Sequence, residues 1–176
     1  MTEQMDNVSF DISVQVSIRQ LRKDDLRKLE WHGQFTHYRR LFMRSYQGQR
    51  KGNRHLLVAT VNDFPIGRLF IQFSSPRRDN IDEYLRGYLY SFHLMEMFRG
   101  QGIGTHLIQR AENILHQHHF DYATIAVAQT NDGARRLYQR HGYDIVEEDE
   151  GKWSYYDHLG RLQTVNESCW LLEKRL

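Results

Sequence analysis

The feature that most constrains this chain is a glycine-rich junction within residues 95–105. An apolar stretch ends there in Arg99-Gly100-Gln101-Gly102-Ile103-Gly104, and a helical pattern of apolar residues begins at Thr105. Such a junction presents backbone N–H groups at the positive end of a helix dipole. Glycine has no Cβ, so a bulky anion can approach the backbone closely. The sequence therefore predicts a binding site for a phosphate-bearing ligand at the start of a helix.

The loop lacks the residues of two well-known phosphate-binding loops. A Walker A loop needs Gly-Lys-Ser/Thr, but Gly104 is followed directly by Thr105, which argues against nucleotide hydrolysis. A Rossmann fingerprint needs a glycine where this chain has Thr105. Asp121 lies about 20 residues further on, but it precedes the next predicted strand, where it cannot hold a ribose. By itself the loop leaves its ligand open.

Hydrophobic periodicity predicts one mixed α/β domain over residues 11–176, after a flexible tail at 1–10. We expect β-structure in an alternating strand at 12–18, a hairpin at 56–73 with Asn62-Asp63 at its turn, and a long strand at 84–97. The other expected elements are two helical stretches near 24–30 and 34–46, a loop at 76–83, a helix at 105–118, a central strand at 123–128, a helix at 131–141, and closing strands at 143–146 and 162–172.

Bulk composition excludes several classes of protein. The 24 basic and 22 acidic residues nearly cancel, so no global charge favours nucleic acid or a membrane surface. The cluster Arg39–Arg54 is a local exception, which we interpret as a solvated helix face and loop, with contact to an anionic substrate or the cofactor as the alternative. No run of about eighteen apolar residues exists to span a membrane, and residues 1–10 do not have the pattern of a secretory signal. The single cysteine, Cys169, favours a reducing compartment, and we expect a cytoplasmic protein.

Two blocks of sequence resemble the GNAT acetyltransferase superfamily. Arg99-Gly100-Gln101-Gly102-Ile103-Gly104 looks like its acetyl-coenzyme A signature, Gln/Arg-x-x-Gly-x-Gly/Ala. Residues 131–143 resemble its Asn-x-x-Ala-x-x-Leu-Tyr-x-x-x-Gly-Phe/Tyr segment. The resemblance extends over about 12–176. It implies a GNAT-like α/β fold, with a mixed, mostly antiparallel central sheet and helices on both faces. It also implies transfer of an acetyl group from acetyl-CoA to a primary amine of a small molecule or a protein.

The resemblance assigns roles to particular residues. Tyr138 would be the acid that protonates the coenzyme A thiolate, and Asn131 would contact the cofactor. Arg99 would add charge or anchor the loop. The remaining implied acetyl-CoA contacts are backbone groups of Phe92, His93 and Leu94 on the preceding strand, and the loop residues Gly100, Gln101, Gly102, Ile103, Gly104 and Thr105.

The sequence leaves the general base and the acceptor open. The central strand at 123–128 has no acid or histidine. Strand alternation predicts Tyr88 and Tyr90 on one face of the preceding strand and His93 on the other. Glu30 and a chain of waters are further alternatives. The acidic run at 147–150 would mildly favour a cationic acceptor, although such runs are usually solvated loops.

Other features receive the simpler interpretation. His116, His118 and His119 have metal-like spacing but no nearby cysteine, so we expect no metal site. Cys169 is expected to be packed, not nucleophilic. A non-catalytic module that binds acyl-CoA remains the alternative function. Nucleic-acid binding through the basic cluster is disfavoured, and a homodimer is left open.

Overall fold

The computed structural model describes Ser9 and residues 11–76 and 82–176. The helices are α1 (Arg39–Arg50), α2 (Ile103–Gln117) and α3 (Asp132–Arg140). The strands are β1 (Ser17–Gln20), β2 (Arg54–Val61), β3 (Phe64–Gln72), β4 (Arg86–Leu94), β5 (Tyr122–Ala128), β6 (Asp144–Asp149), β7 (Lys152–Tyr156), β8 (Leu162–Asn166) and β9 (Cys169–Arg175). The predicted loop at 76–83 and tail at 1–10 fall largely outside the described residues.

A seven-stranded sheet forms the centre, in the order β1-β2-β3-β4-β5-β9-β6. Its neighbouring strands are antiparallel except for β4 and β5, which are joined by α2 and run parallel. β7 and β8 form a separate two-stranded hairpin. The prediction of a mixed, mostly antiparallel sheet is therefore confirmed.

Each face of the sheet is covered by helix. The α2-side cluster packs apolar residues of α2, such as Leu107, Ile108 and Leu115, against the sheet, and Tyr138 of α3 joins it. The α1-side cluster joins Phe42 of α1 to the other face, together with the irregular segment 21–35. The prediction of helices on both faces is confirmed, because apolar residues of strands β2 to β4 are divided between the two clusters.

The first predicted elements differ from the structure. β1 begins at Ser17, which pairs with Thr60, and not at residue 12 as predicted. Residues further upstream would have to pair beyond Val61, but β2 turns back there through Asn62 and Asp63, which both have positive φ. The expected helix near 24–30 is instead two short 3-10 turns, Lys23–Asp25 and Lys28–Glu30, and a left-handed backbone at Trp31 and His32 ends the second one. The second helical stretch begins at Arg39, later than expected.

The long strand and the closing strands also differ. β4 ends at Leu94, and a 3-10 turn at Glu96–Phe98 leads into the glycine loop. The expected closing strand at 162–172 is divided into β8 and β9, because the chain turns at Glu167 and Ser168 between the two sheets. β7 was not predicted. By contrast, the hairpin β2–β3, the strand β5 and the helix after Asn131 are confirmed.

Candidate active site

β4 and β5 pair over only part of their length. Their parallel ladder runs from Arg86↔Tyr122 to Leu89↔Ile125. β4 then continues along β3 as far as Leu94, while β5 continues along β9. The strands therefore separate after Leu89 and leave a cleft edged by main chain. Such an edge suits an extended ligand that makes backbone hydrogen bonds.

A β-bulge lies on the β4 side of this cleft. Phe70 pairs with Tyr90 and Arg68 with His93, so β4 has one more residue than β3 between these pairs. Ser91, within the bulge, has φ of 53°. This left-handed conformation is uncommon for a residue with a side chain. A bulge re-aims the groups that follow it, and here it turns the backbone of β4 beside the cleft.

The bulge also changes which face each side chain occupies. Phe92 packs against the α2-side cluster, whereas the His93 ring lies 5.0 Å from the Phe35 ring on the α1 side. Tyr90 belongs to the same α1-side cluster. The prediction that His93 lies opposite Tyr88 and Tyr90 is therefore wrong, because one extra residue shifts the period-two alternation.

The glycine loop leads directly into α2 beside the cleft. Gly100 and Gly102 have φ of 75° and 82°, and Gly102 is the N-cap of α2. A cap without a side chain leaves the first N–H groups of the helix available to a ligand. A Cβ on Gly100 or Gly102 would meet nothing within 4 Å, so the space in front of the loop is open. These observations fit a pyrophosphate at the residues that the sequence proposed.

Side chains around the loop hold it in place. The Arg99 Nε atom donates to the Leu94 carbonyl oxygen at 3.2 Å, which favours an anchoring role over direct charge contact. The Gln101 amide donates to the Met97 carbonyl oxygen at 3.4 Å. In the first turn of α2, the Thr105 hydroxyl lies 3.2 Å from the His141 Nε2 atom. The loop is thus tied to β4 on one side and to the end of α3 on the other.

α3 places Asn131 and Tyr138 on the α2 side of the sheet. The Asn131 Oδ1 atom accepts from the Ala134 N–H at 3.1 Å, so the predicted helix cap is confirmed. Its side-chain N–H groups are then what it can offer a ligand. The Tyr138 ring lies 6.2 Å from the Phe92 ring and is 5% exposed. Gly104 is close to the same Phe92 ring, since a Cβ there would be 3.3 Å from it. The two sequence blocks therefore meet at Phe92.

The environment of Tyr138 keeps its hydroxyl protonated. Burial raises the pKa of Tyr138 well above its usual value, and the nearby Tyr88 phenol raises it further. A neutral phenol at physiological pH can donate a proton. The chemistry expected of Tyr138 is thus compatible with its surroundings.

On the α1 side, aromatic rings from three parts of the chain face one another. The Tyr38 ring lies 6.2 Å from Phe35, 5.1 Å from Tyr155 and 6.4 Å from Trp153. Trp153 and Tyr155 belong to the β7–β8 hairpin, which sequence reasoning missed. Alternating Trp153 and Tyr155 followed by a turn at 157–160 was the available signal. We call these four residues, together with His93, the aromatic wall.

The candidates for a general base differ in how readily they could accept a proton. The Glu30 carboxylate accepts from Arg39 at 2.7 and 2.8 Å and from the Thr36 hydroxyl at 2.8 Å. These contacts hold the pKa of Glu30 below its usual range, which makes it a poor proton acceptor. The Tyr90 hydroxyl donates to Ser45 at 3.1 Å. Tyr88 and Tyr90 stack in parallel with centroids 6.0 Å apart.

His93 is neutral under ordinary conditions. Burial lowers the pKa of His93 to about 4, helped by the positive charges of Arg68 and Arg99. An imidazole with such a pKa binds a proton only weakly. It is therefore a weak base, although it lies next to the bulge.

The remaining features noted in the sequence lie elsewhere. The acidic run belongs mainly to the edge strand β6, and β9 and β5 separate β6 from β4. Arg39 and Arg54 of the basic cluster make internal hydrogen bonds. Among the residues that the structure describes, no three His, Cys, Asp or Glu side chains gather as a metal would require. Within the same ranges, no helix has the length and apolar character needed to cross a membrane.

Solved structures share this architecture. Arabidopsis thaliana NAA60 in complex with acetyl-CoA matches with a TM-score of 0.72 and 18% identity, over 92% of this chain and 99% of that one. The ribosomal-protein-S18-alanine N-acetyltransferase of Escherichia coli matches at 0.67 and 16% identity, over 92% and 94%. Arabidopsis thaliana Naa50 in complex with the bisubstrate analogue CoA-Ac-MVNAL matches at 0.65 and 18% identity, over 92% and 99%. At these identities the likeness establishes the fold.

The sequence itself establishes the family. No curated protein matches the chain significantly. However, the model of the acetyltransferase (GNAT) family matches residues 17–143, which is well over half of the chain and includes both sequence blocks. With the fold and the cleft in agreement, the chain belongs to the GNAT acetyltransferase family, whose members are acetyl-CoA-dependent N-acetyltransferases.

Proposed function

We propose that this acetyltransferase acetylates the α-amino group at the N-terminus of a peptide or protein, by direct transfer within a ternary complex. Residues 11–176 would form the single catalytic domain. The observation that carries the proposal is that neither of the two candidate bases described above on the α1 side, Glu30 and His93, is suited to act as a strong base. There Glu30 is occupied by Arg39 and Thr36, and His93 is a weak base.

The type of amine follows from this shortage. An α-amino group has a pKa near 8, so roughly a quarter of it is already neutral at pH 7.5. A lysine amine has a pKa of about 10.4, and only about 0.1% of it is neutral at that pH. A site with a strong base could remove this difference, which amounts to a factor of roughly 200. A site with weak bases favours the α-amine.

For the donor, we propose the residues indicated by the sequence blocks. Acetyl-CoA supplies an activated acetyl thioester. Backbone N–H groups of the loop from Gly100 to Thr105 would hold the pyrophosphate. The free main-chain edge of β4 would hold the pantetheine arm and the thioester, and Asn131 would contribute its side-chain amide. The members of this proposed set are Phe92, His93, Leu94, Arg99, Gly100, Gln101, Gly102, Ile103, Gly104, Thr105 and Asn131.

Tyr138 would act as the general acid. Its Oη atom holds a proton throughout the physiological pH range, because burial raises its pKa. The departing thiol sulfur requires a proton, and a positioned acid typically contributes 10²–10⁴-fold to such a step. The position of Tyr138 beside Phe92 of β4 supports this role.

The aromatic wall supports an acceptor with an apolar first residue. Its rings present apolar faces on the α1 side of β4, opposite the face that carries Phe92. Two of the similar proteins also support such an acceptor: one acts on an alanine of a ribosomal protein, and the other was solved with CoA-Ac-MVNAL.

For the localisation, we propose the cytoplasm. The single cysteine, Cys169, is free, which suits a reducing compartment.

A peptide panel tests this proposal. The purified protein would be incubated with acetyl-CoA and with peptides that differ in their first residue, and thiol release would be followed. Each peptide has two matched forms, one with a free N-terminus and one with a blocked N-terminus and an internal lysine. We expect at least a hundredfold preference in kcat/KM at pH 7.5 for the free N-terminus. Equal rates for the two forms would contradict the proposed acceptor, and tight acetyl-CoA binding without transfer to any amine would indicate a binding module.

A further inference from the structure

A buried arginine lies directly against the bulge of β4. Arg68, in the middle of β3, is 0% exposed and pairs in register with His93. Its Nε atom donates to the Ser91 hydroxyl at 3.1 Å. Sequence reasoning did not single it out, although an arginine between Ile66 and the apolar run Leu69–Ile71 is unusual in a buried strand.

Aromatic rings, and not carboxylates, surround the Arg68 guanidinium. Its central carbon lies 4.2 Å from the Phe35 ring centre, and 4.9 Å from those of Trp31 and Phe42. Neither Nη atom has a hydrogen-bond acceptor among the residues that the structure describes. The side chain therefore rests on cation–π contacts and on the single hydrogen bond to Ser91.

This arrangement is a poor way to stabilise a fold. Removing a guanidinium from water is costly when no carboxylate compensates its charge, and cation–π contacts return only part of that cost. Replacing buried charges with apolar side chains of similar size is often neutral or stabilising. Strained or costly features that persist in a protein often belong to functional sites. A functional role for Arg68 would therefore act through Ser91, the residue to which it donates its hydrogen bond.

That residue, Ser91, needs external support. Its φ of 53° lies in the left-handed region, which is sterically unfavourable for a residue with a Cβ. The conformation aims the backbone that follows, at Phe92 and His93, beside the cleft. A hydrogen bond to a fixed guanidinium holds the Ser91 side chain in one orientation. Arg68 is itself fixed by Trp31 and Phe35, which lie on the acceptor side of the sheet.

We propose that Arg68 is a positioning residue for acetyl transfer: through its hydrogen bond to Ser91 it holds the β4 bulge in the geometry that aims backbone N–H groups at the thioester carbonyl. Arg68 touches neither substrate. It links the acceptor-side segment 31–42 to the donor-side backbone. This inference rests on the proposed contact between β4 and the thioester, and not on the identity of the acceptor.

Two single variants and their combination test the proposal. Arg68→Met keeps an unbranched chain that can fill the aromatic surroundings. Ser91→Ala removes the hydroxyl but keeps the Cβ, so the left-handed backbone stays unfavourable and loses its hydrogen-bond support. Each protein would be loaded with acetyl-CoA carrying ¹³C at the acetyl carbonyl, and the chemical shift of the bound carbonyl would be measured. In both variants we expect this resonance to move toward its position in free acetyl-CoA, with a change in Kd of less than about threefold.

Turnover and stability complete the test. We expect kcat to fall about tenfold or more in each variant, while the melting temperature of Arg68→Met stays equal to or above that of the wild type. The double variant should be no worse than the worse single one, because both changes remove the same hydrogen bond. Arg19→Met is the matched control. Its guanidinium, on strand β1, binds Asp25 and Asp63, and β2 and β3 separate it from β4, so kcat and the carbonyl resonance should not change.

The outcomes separate this inference from the proposed function. An unchanged carbonyl resonance in Ser91→Ala would overturn the role of Arg68, even if Arg68→Met failed to fold. Additive losses in the double variant would also overturn it. Failure of the wild type to acetylate any N-terminus would reject the proposed acceptor, while the carbonyl resonance would still decide the question of Arg68.

Discussion

At the scale of single residues, burial sets the protonation states on both sides of β4. Burial raises the pKa of Tyr138, so this phenol keeps its proton, and lowers that of His93 to about 4, so this imidazole stays neutral. The sequence indicated Tyr138 through its motif, since Asn131 and Tyr138 lie two helical turns apart on one helix face. It misplaced His93, because the bulge at Ser91 is a property of strand pairing that no local pattern revealed.

Replacing Tyr138 with phenylalanine tests the acid. Tyr138→Phe removes only the hydroxyl, so we expect kcat to fall by about 10²-fold while the Kd for acetyl-CoA changes little. Calorimetry and thiol release measure the two quantities. Tyr143→Phe is the control, because Tyr143 packs 6.1 Å from Tyr138 in the same cluster and has no proposed chemical role. Equal turnover in wild type and Tyr138→Phe would remove Tyr138 from the mechanism.

His93 predicts an acid-dependent loss of stability. Its pKa is about 4 in the folded protein and near 6.5 in the unfolded chain, so the unfolded state binds the proton more tightly. The contribution of neutral His93 to the free energy of unfolding is fully present above pH 6.5 and declines as the pH falls from 6.5 to 4. Urea unfolding should be measured at pH 7 and at pH 4.5. Between these two values, we expect the free energy of unfolding of the wild type to fall by about 2–3 kcal/mol more than that of His93→Gln. His116→Gln, at an exposed position, should behave as wild type, and an equal loss in wild type and His93→Gln would contradict the prediction.

At the scale of elements, the loop before α2 was the most predictable part of the site. Glycines with no Cβ before an amphipathic helix specify both the turn and the open helix end, and these signals are local in the sequence. The ends of the strands were less predictable. β1 starts where its partner β2 turns, and β9 separates from β8 where the chain changes sheets, so both boundaries depend on distant residues.

A matched pair of glycine substitutions tests the loop. Gly102→Ala places a Cβ at a left-handed position in front of the N-terminus of α2, and we expect the Kd for acetyl-CoA to rise about tenfold. Gly52→Ala is the control, since Gly52 has φ of 80°, close to the 82° of Gly102, and open space around it, but lies in the α1–β2 turn. Both variants should lose about 1–2 kcal/mol of stability from backbone strain. Equal acetyl-CoA affinity in the two variants would contradict the proposed binding site.

At the scale of the whole molecule, the proposed acceptor side is assembled from distant segments. The turns around residues 31–38, the strand β4 and the β7–β8 hairpin come together only in the folded chain, and the aromatic wall is their product. Gly151 controls how the hairpin leaves the sheet. It is buried with φ of 65°, and a Cβ there would lie 1.6 Å from the Glu167 carbonyl oxygen.

Gly151→Ala should therefore displace the hairpin. We expect a loss of about 3 kcal/mol or more in the free energy of unfolding, from the overlap and the backbone strain together. The acceptor KM should rise about tenfold or more while the affinity for acetyl-CoA is kept, because the donor loop lies on the other side of the sheet. Gly160→Ala, at the hairpin tip, would meet only the movable end of Arg40 at 3.2 Å and should cost about 1 kcal/mol. An unchanged acceptor KM in Gly151→Ala would argue against the hairpin as part of the acceptor site.

The sequence by itself indicated the family, the glycine loop proposed to bind the donor, the helix capped by Asn131 and the proposed acid Tyr138, because each depends on residues that are neighbours along the chain or along one helix. Tertiary structure alone decided the parting of β4 and β5, the bulge at Ser91, the burial of Arg68 and the aromatic wall. Those features depend on the register between strands and on packing between segments far apart in the chain. The glycine loop that first indicated a phosphate ligand therefore supports acetyl-CoA as the donor. The acceptor side could be proposed only from the folded structure.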